Sequence, residues 1–281
     1  MKRMGIIGFG NMGQAIAEQL KGDYTIYCFD KDITKSKDLS GIEATKTMAE
    51  LVNKAEVVIL AVKPQDFESV LEEIKSNIST EKLFISIAAG ISTAYIEKKL
   101  GVVRVIRTMP NIAIKIGQGM SCLSKGRYAS QEDFDFAENL FDYLGETQRI
   151  DEAKMDAATA VSGSGPGFCF QMSLKEKIDT HDIDQFRKFV EAKFIPSLKQ
   201  AAQSVGFSAE EAEFLSVTTG NSCSSLLVKT KLSPEELRKQ VTSKGGTTEA
   251  GLEALDKTGS LTEAVKAALA RAIELSGHLA I

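Results

Sequence analysis

Tryptophan is absent from this 281-residue chain, and histidine, cysteine and proline are scarce at two, four and five residues. His181 and His278 are too few for a histidine relay. His181 has acidic neighbours at Asp182 and Asp184 but no second ligand cluster, so it reads as a surface-loop residue and no metal site is expected. His278 reads as a last-turn residue that suits the helix dipole. Cys28, Cys122, Cys169 and Cys223 stand singly with no C-x-x-C pair. That argues against a zinc site or a disulfide framework and for buried thiols. The longest apolar run, Val57 to Val62, is far too short to span a membrane. A strand pattern begins at Met4, leaving no room for a basic-then-apolar leader, so a cytoplasmic protein is expected. Neither sign of charge dominates, with 34 basic against 38 acidic side chains, and no footprint for nucleic acid results. Internal repeats, low-complexity tracts and Pro-rich linkers are missing too.

The remainder, 43% hydrophobic and 26% charged, is ordinary globular composition at a length that suits two domains. Over residues 1–150 short apolar runs (MGIIGF, YTIYCFD, VVILAV, LFISIAAG, VVRVIRTMPN, MSCLSKG) alternate with helical patterns around Met48–Asn53, Asp66–Asn77, Thr93–Leu100 and Glu132–Leu144. That alternation predicts a parallel sheet with helices on both faces, an α/β Rossmann-type domain. Over 151–281 the strand signal stops. Ser208 with Glu211, Ser233 with Glu236 and Ser260 with Glu263 have capping-box spacing and predict helix starts, as Thr47 with Glu50 does earlier. The stretch Leu261–Ile281 is amphipathic. An all-α C-terminal domain of this size with apolar faces is expected to bury them against a second copy, so a homodimer or higher homo-oligomer is expected.

Gly8-Phe9-Gly10-Asn11-Met12-Gly13 follows one strand and opens a helix, with Asp30 closing the next strand. G-x-G-x-x-G is weak alone and informative in that context. Gly8 would make the tight turn, Gly10 would let the backbone approach a pyrophosphate, and Gly13 would let the helix pack on the sheet. The helix N-terminus would stabilise the phosphate charge. Asp30 can accept hydrogen bonds from ribose hydroxyls and would oppose a 2′-phosphate, whereas Lys31, Lys35 and Lys37 can offset that opposition. NADH and NADPH both remain open. Ala61-Val62-Lys63-Pro64 and Ala88-Ala89-Gly90, each at the carboxyl end of a strand, complete the expected cofactor wall. Ile7 and Asn111 are counted with it.

Three further stretches are rich in turn chemistry: Arg107–Asn111 (RTMPN), Ser162–Pro166 (SGSGP) and Thr242–Leu252 (TSKGGTTEAGL). In the last, successive backbone N–H groups and hydroxyls at a helix start form an anion cradle suited to a carboxylate. Together with GFGNMG, AVKP and AAG, these stretches resemble the pyrroline-5-carboxylate reductase family from Met4 to about the last helix, SKGGTTEAGL being the most specific. The resemblance implies a Rossmann domain followed by a helical dimerisation domain, NAD(P)H as hydride donor and 1-pyrroline-5-carboxylate as substrate. It further implies a substrate loop at Ser243, Gly246, Thr247 and Thr248, with Thr248 placed at the ring nitrogen as the catalytic residue. Each site would combine one chain's cofactor domain with a partner's helical domain.

The chain departs from the family pattern in three places. Lys244 stands where proline is common, Gly167-Phe168 replaces an Ala-Tyr pair, and Gln171–Leu198 is longer and more charged than usual. The histidine shortage suits such a substrate. An imine nitrogen is basic enough to be protonated before hydride arrives, so positioning matters more than a strong acid. A rival β-hydroxyacid dehydrogenase would need a catalytic lysine after the glycine-rich stretch with an asparagine one turn on. Lys175 is the one candidate, and no asparagine follows it. A non-catalytic dinucleotide-binding dimer is the second rival.

Overall fold

The computed structural model describes residues 1–36 and 39–277; Lys37, His278 and the end of the last predicted helix lie outside the described residues. Among the described residues eight strands form one sheet in the order β3-β2-β1-β4-β5-β6-β7-β8. They are β1 (Arg3–Ile7), β2 (Thr25–Phe29), β3 (Ile42–Ala44), β4 (Val57–Leu60), β5 (Leu83–Ser86), β6 (Arg104–Pro110), β7 (Gly119–Lys125) and β8 (Gly145–Arg149). Buried apolar runs such as Val57–Leu60 suit central strands covered on both faces. The crossover helices are α1 (Asn11–Leu20), α2 (Met48–Lys54), α3 (Phe67–Ile74), α4 (Thr93–Leu100) and α5 (Gln131–Asp142). One apolar layer holds Ile16 of α1 and Phe134 and Phe141 of α5 against one face. The other holds Leu51, Phe67, Ile74 and Ile96 of α2 to α4. Strand order reverses at β1 and β4, which opens the crevice where doubly wound sheets bind ligands.

The sheet departs from the all-parallel expectation at one point. β6 and β7 are antiparallel, Met109 facing Cys122. A single helical turn, Ile112–Ile116, joins them and ends at Gly117 with φ +67°. So short a link cannot make the crossover that a parallel pair needs. β3 and β8 escape the hydrophobic pattern because they are edge strands, one only three residues long and the other polar, ordered by pairing with β2 and β7.

After β8 the chain is helical: α6 (Met155–Ala158), α7 (Gly165–Lys175), α8 (Ile183–Phe189), α9 (Ile195–Ser204), α10 (Ala209–Thr230), α11 (Pro234–Val241), α12 (Thr247–Thr258) and α13 (Leu261–Gly277). Ser208 and Ser233 form reciprocal capping boxes with Glu211 and Glu236. Ser260 Oγ accepts from the Glu263 N–H at 3.3 Å. Within the charged stretch Gln171–Leu198, Phe186, Phe189 and Phe194 turn into the core and the charges face out. Phe186 stacks on Phe170 of α7. His181 is exposed in the loop before α8.

The helical core also contains Met109, Ile112, Ala113, Met120 and Cys122. The helices therefore pack straight onto the β6–β7 end of the sheet. All four cysteines are buried and free, and among the described residues no helix is long and apolar enough to cross a membrane.

Candidate active site

The glycine loop is built as its residue types require. Gly8 has φ +94°, and a Cβ there would lie 2.7 Å from the Ala61 carbonyl. A Cβ on Gly13 would meet the Gly8 oxygen at 2.2 Å, whereas nothing lies within 4 Å of one on Gly10. Gly10 is thus the open face of the loop. It also stands at the N-cap of α1 with no side-chain cap, leaving the first-turn N–H groups without an intrahelical acceptor. Ile7, Gly8, Gly10, Asp30, Ala61, Val62 and Lys63 line one cavity of about 430 Å³. Its wall also includes Met48, Gln65, Asp66 and Ser69, residues that motif reading missed because they sit on the following helices at no fixed spacing.

Inside this cavity Asp30 is 9% exposed and already engaged. It accepts the Phe9 N–H at 2.7 Å and the Asp32 N–H at 2.9 Å. Lys35 Nζ stands 3.2 Å from the same carboxylate, and Lys31 pairs instead with Asp66 at 3.0 Å. Burial and then the Asp30 charge push the Cys28 thiol up to about 11, so it stays protonated at neutral pH. The Phe9 side chain points away from the cavity into the sheet core.

The rest of the predicted wall lies further along the strand ends. Met12 and Ala89 pack against the helical core. Gly90, with φ +75°, is approached so closely by Ser276 that a Cβ would sit 3.2 Å from its nitrogen. Asn111 is 1% exposed at the end of β6. Its Oδ1 accepts from Ala113 at 3.0 Å and Met120 at 3.2 Å, while its Nδ2 has no partner among the described residues. The open Gly10 face, the uncapped α1 and this orphan donor all fit a dinucleotide laid across the strand ends.

SGSGP is a helix here, where its composition suggested a turn. Ser164 N–H donates to the Thr159 carbonyl at 2.9 Å, one residue beyond the α-helical reach, so Thr159–Gly163 forms one wide turn between α6 and α7. Pro166 is tolerated because it sits in the first turn of α7. The glycines serve close approach: a Cβ on Gly165 would meet Thr219 at 2.8 Å, and one on Gly167 would meet Thr248 Cγ2 at 2.6 Å. The departure to Gly167-Phe168 thus has a physical counterpart. Gly167 admits the Thr248 methyl, and the edge of the Phe168 ring lies against the backbone of Gly251.

Opposite α7, Ser243 to Gly246 form a turn closed by Gly246 N–H donating to the Ser243 carbonyl at 3.0 Å. Gly245 takes φ +70° at its third position. Gly246 is the N-cap of α12 and has no side-chain cap. The N–H groups of Thr247, Thr248 and Glu249 therefore stay open for an anion. Glu249 turns back to accept the Gly245 N–H at 2.6 Å. Arg271 of α13 donates to the Gly245 carbonyl at 2.8 Å, a cation beside the cradle with no signal in linear spacing. Thr248 is 5% exposed, and its Oγ1 donates to Ser164 Oγ at 3.2 Å. Lys175, the residue a hydroxyacid dehydrogenase would need, lies at the far end of α7, paired with Asp256 at 3.0 Å.

Comparison with known proteins gives this arrangement its kin. A family model described as pyrroline-5-carboxylate reductase dimerisation matches residues 191–278. Another, described as NADP oxidoreductase, coenzyme F420-dependent, matches residues 3–90. Pyrroline-5-carboxylate reductase of Aquifex aeolicus is 33% identical over 92% of this chain and 90% of its own. The chain belongs to the pyrroline-5-carboxylate reductase family. The reductase of Methanosarcina acetivorans is 32% identical over 99% of this chain and 98% of its own. The crystal structure of the Coxiella burnetii reductase superposes with a TM-score of 0.63 at 30% identity, covering 97% of this chain and 98% of that one. The Rossmann-type domain and helical C-terminal part are thus those of the family.

Proposed function

We propose that this chain reduces 1-pyrroline-5-carboxylate to L-proline with NADPH or NADH, and that the start of α12 is where the substrate is held. The carrying observation is the uncapped first turn of α12 beside the buried Thr248 hydroxyl. A carboxylate and a ring nitrogen bonded to the same carbon need that combination: backbone donors for the anion and one oriented hydroxyl for the nitrogen. In this reading the N–H groups of Thr247 and Thr248, with Ser243 and Gly246, hold the carboxylate, and Thr248 holds the nitrogen. The glycine loop with Ile7, Phe9, Asn11, Met12, Asp30, Ala61–Pro64, Ala88–Gly90 and Asn111 would hold the dinucleotide. When bound, the reduced nicotinamide supplies the hydride.

The imine needs little acid catalysis from the protein, because its nitrogen is basic enough to take up a proton before the hydride arrives. What the chain supplies is orientation and a water-poor surround, and the apolar core beneath Met109 and Ala89 provides the second. The C-terminal domain, residues 151–281, would also make the homodimer. The substrate, cofactor and product would all be water-soluble metabolites, which suits a cytoplasmic enzyme.

Steady-state turnover of pyrroline-5-carboxylate, followed by nicotinamide absorbance with each cofactor, tests the activity. Thr248→Ala is expected to lower kcat/KM by about 10- to 100-fold, the worth of one charge-assisted hydrogen bond. Unchanged kinetics in that variant would remove Thr248 from the site.

A further inference from the structure

Ser164 is 1% exposed, and its hydroxyl stands between two threonines of α12. Thr248 Oγ1 is 3.2 Å away and Thr247 Oγ1 is 3.1 Å away. A serine hydroxyl has one proton to give and lone pairs to receive. When it receives from Thr248 its own proton is available for Thr247, and the three hydroxyls can then share one direction.

We propose that Ser164 is a positioning residue that sets the two threonines in opposite senses. Thr248 is held as an acceptor toward the protonated ring nitrogen, and Thr247 as a donor toward the carboxylate. The inference rests on the substrate reading given above and adds a residue and a polarity to it.

The substrate's own polarity supports this. A protonated imine carries an N–H and needs a lone pair opposite it, which Thr248 can present only if its own proton goes elsewhere. Ser164 Oγ is the acceptor in place for that proton. A carboxylate needs a donor, and the proton on Thr247 Oγ1 is free to serve once Ser164 donates to that oxygen.

The same turn of α7 fixes the Thr248 rotamer from its other side. A β-branched side chain has three staggered wells at χ1. Ser164 engages the hydroxyl branch, and Gly167, three residues on and on the same helix face, leaves just enough room for the methyl branch, where a Cβ would come within 2.6 Å. Serine at 164 and glycine at 167 together select one well.

The test is the pH dependence of Ser164→Ala in the full-length enzyme. At neutral pH kcat/KM is expected to fall about tenfold, mostly in kcat, because the backbone cradle remains. Free of Ser164, the Thr248 hydroxyl can rotate to donate to the neutral imine. The decline of kcat/KM from mildly acidic to alkaline pH should therefore flatten in the variant. A loss of the same factor at every pH, or no loss, overturns the proposal, since a merely structural serine would not change the shape of the profile. In a Thr248→Ala background, Ser164→Ala should cost less than twofold more; a full additional tenfold loss also overturns it. A far-UV circular dichroism spectrum and a thermal midpoint equal to the parent's guard against misfolding. If the wild-type chain fails to turn over pyrroline-5-carboxylate, the substrate reading falls and this proposal with it. If turnover and the Thr248→Ala loss hold while the profile shape is unchanged, the proposal alone falls.

Discussion

The Asp30 carboxylate receives the N–H groups of Phe9 and Asp32 at 2.7 and 2.9 Å, with the Lys35 ammonium 3.2 Å away. An acid that sequence spacing offers to a ribose is therefore also the clamp that joins the glycine loop to the end of β2. Its two tasks separate by substitution. Asp30→Ser removes the charge that opposes a 2′-phosphate and leaves Lys35 unpaired, so the ratio of dissociation constants should shift toward NADPH. It also strips the Phe9 N–H of its acceptor, so absolute affinity for both cofactors should fall, by about three- to tenfold for one lost buried hydrogen bond. Fluorescence titration with NADH and NADPH reads both; an unchanged ratio would mean that Asp30 does not face the ribose. Gly8 illustrates the opposite case, in which sequence and structure agree fully. Its φ of +94° and its 2.7 Å clearance to Ala61 leave no room for any side chain.

At the scale of elements, the helix starts were readable and the edge strands were not. Ser208 and Ser233 announce their helices because the capping box is local, closed within four residues. β8 reads GETQR and owes its form to β7 alongside it. One cap also carries a pH-dependent load. The Lys154 ammonium, at 2.8 Å, and then the Ser208 N–H hold Glu211 below the usual carboxylate range. A carboxylate whose pKa is depressed by folding adds stability above its unfolded value, about 4.3. That stability is lost as pH falls through the lower folded value. Urea midpoints at pH near 7 and near 3 should therefore differ less in Glu211→Gln than in the parent, and an equal difference would mean that the Lys154 link does not stabilise the fold. The Ser243–Gly246 turn shows the limit of motif reading. Its glycine at φ +70° was legible, but Arg271, which grips the Gly245 carbonyl, arrives from α13.

For the whole molecule, the decisive joint is the buried Arg107 near the end of β6. It is 4% exposed and pairs with Asp156 at 3.1 Å, while Glu152 stands 3.6 Å away. Asp156 also accepts the Ser276 hydroxyl at 2.9 Å, and Glu152 accepts the Thr93 N–H at 2.7 Å. One cation thus ties the sheet, the start of α4, the chain before α6 and the end of α13. Arg107→Ala takes the cation from two partly buried carboxylates and should cost about 3 kcal/mol. Because the joint spans both parts of the chain, urea unfolding should broaden or split into two transitions. A single sharp transition at the parent midpoint would show that the joint is not needed for cooperativity.

By itself the sequence determined what depends on near neighbours: the alternation of strands and helices, the glycine loop, the helix caps and the residues able to cradle an anion. Those rest on backbone sterics and hydrogen bonds that close within a few residues. Only the tertiary structure decided that β7 runs antiparallel, that SGSGP is a helix, and that Ser164, Gly167 and Arg271 surround the start of α12. Residues 83 or 84 positions apart come within 3.2 Å there, and no local spacing encodes such a meeting, because it is set by how buried helix faces pack on one another.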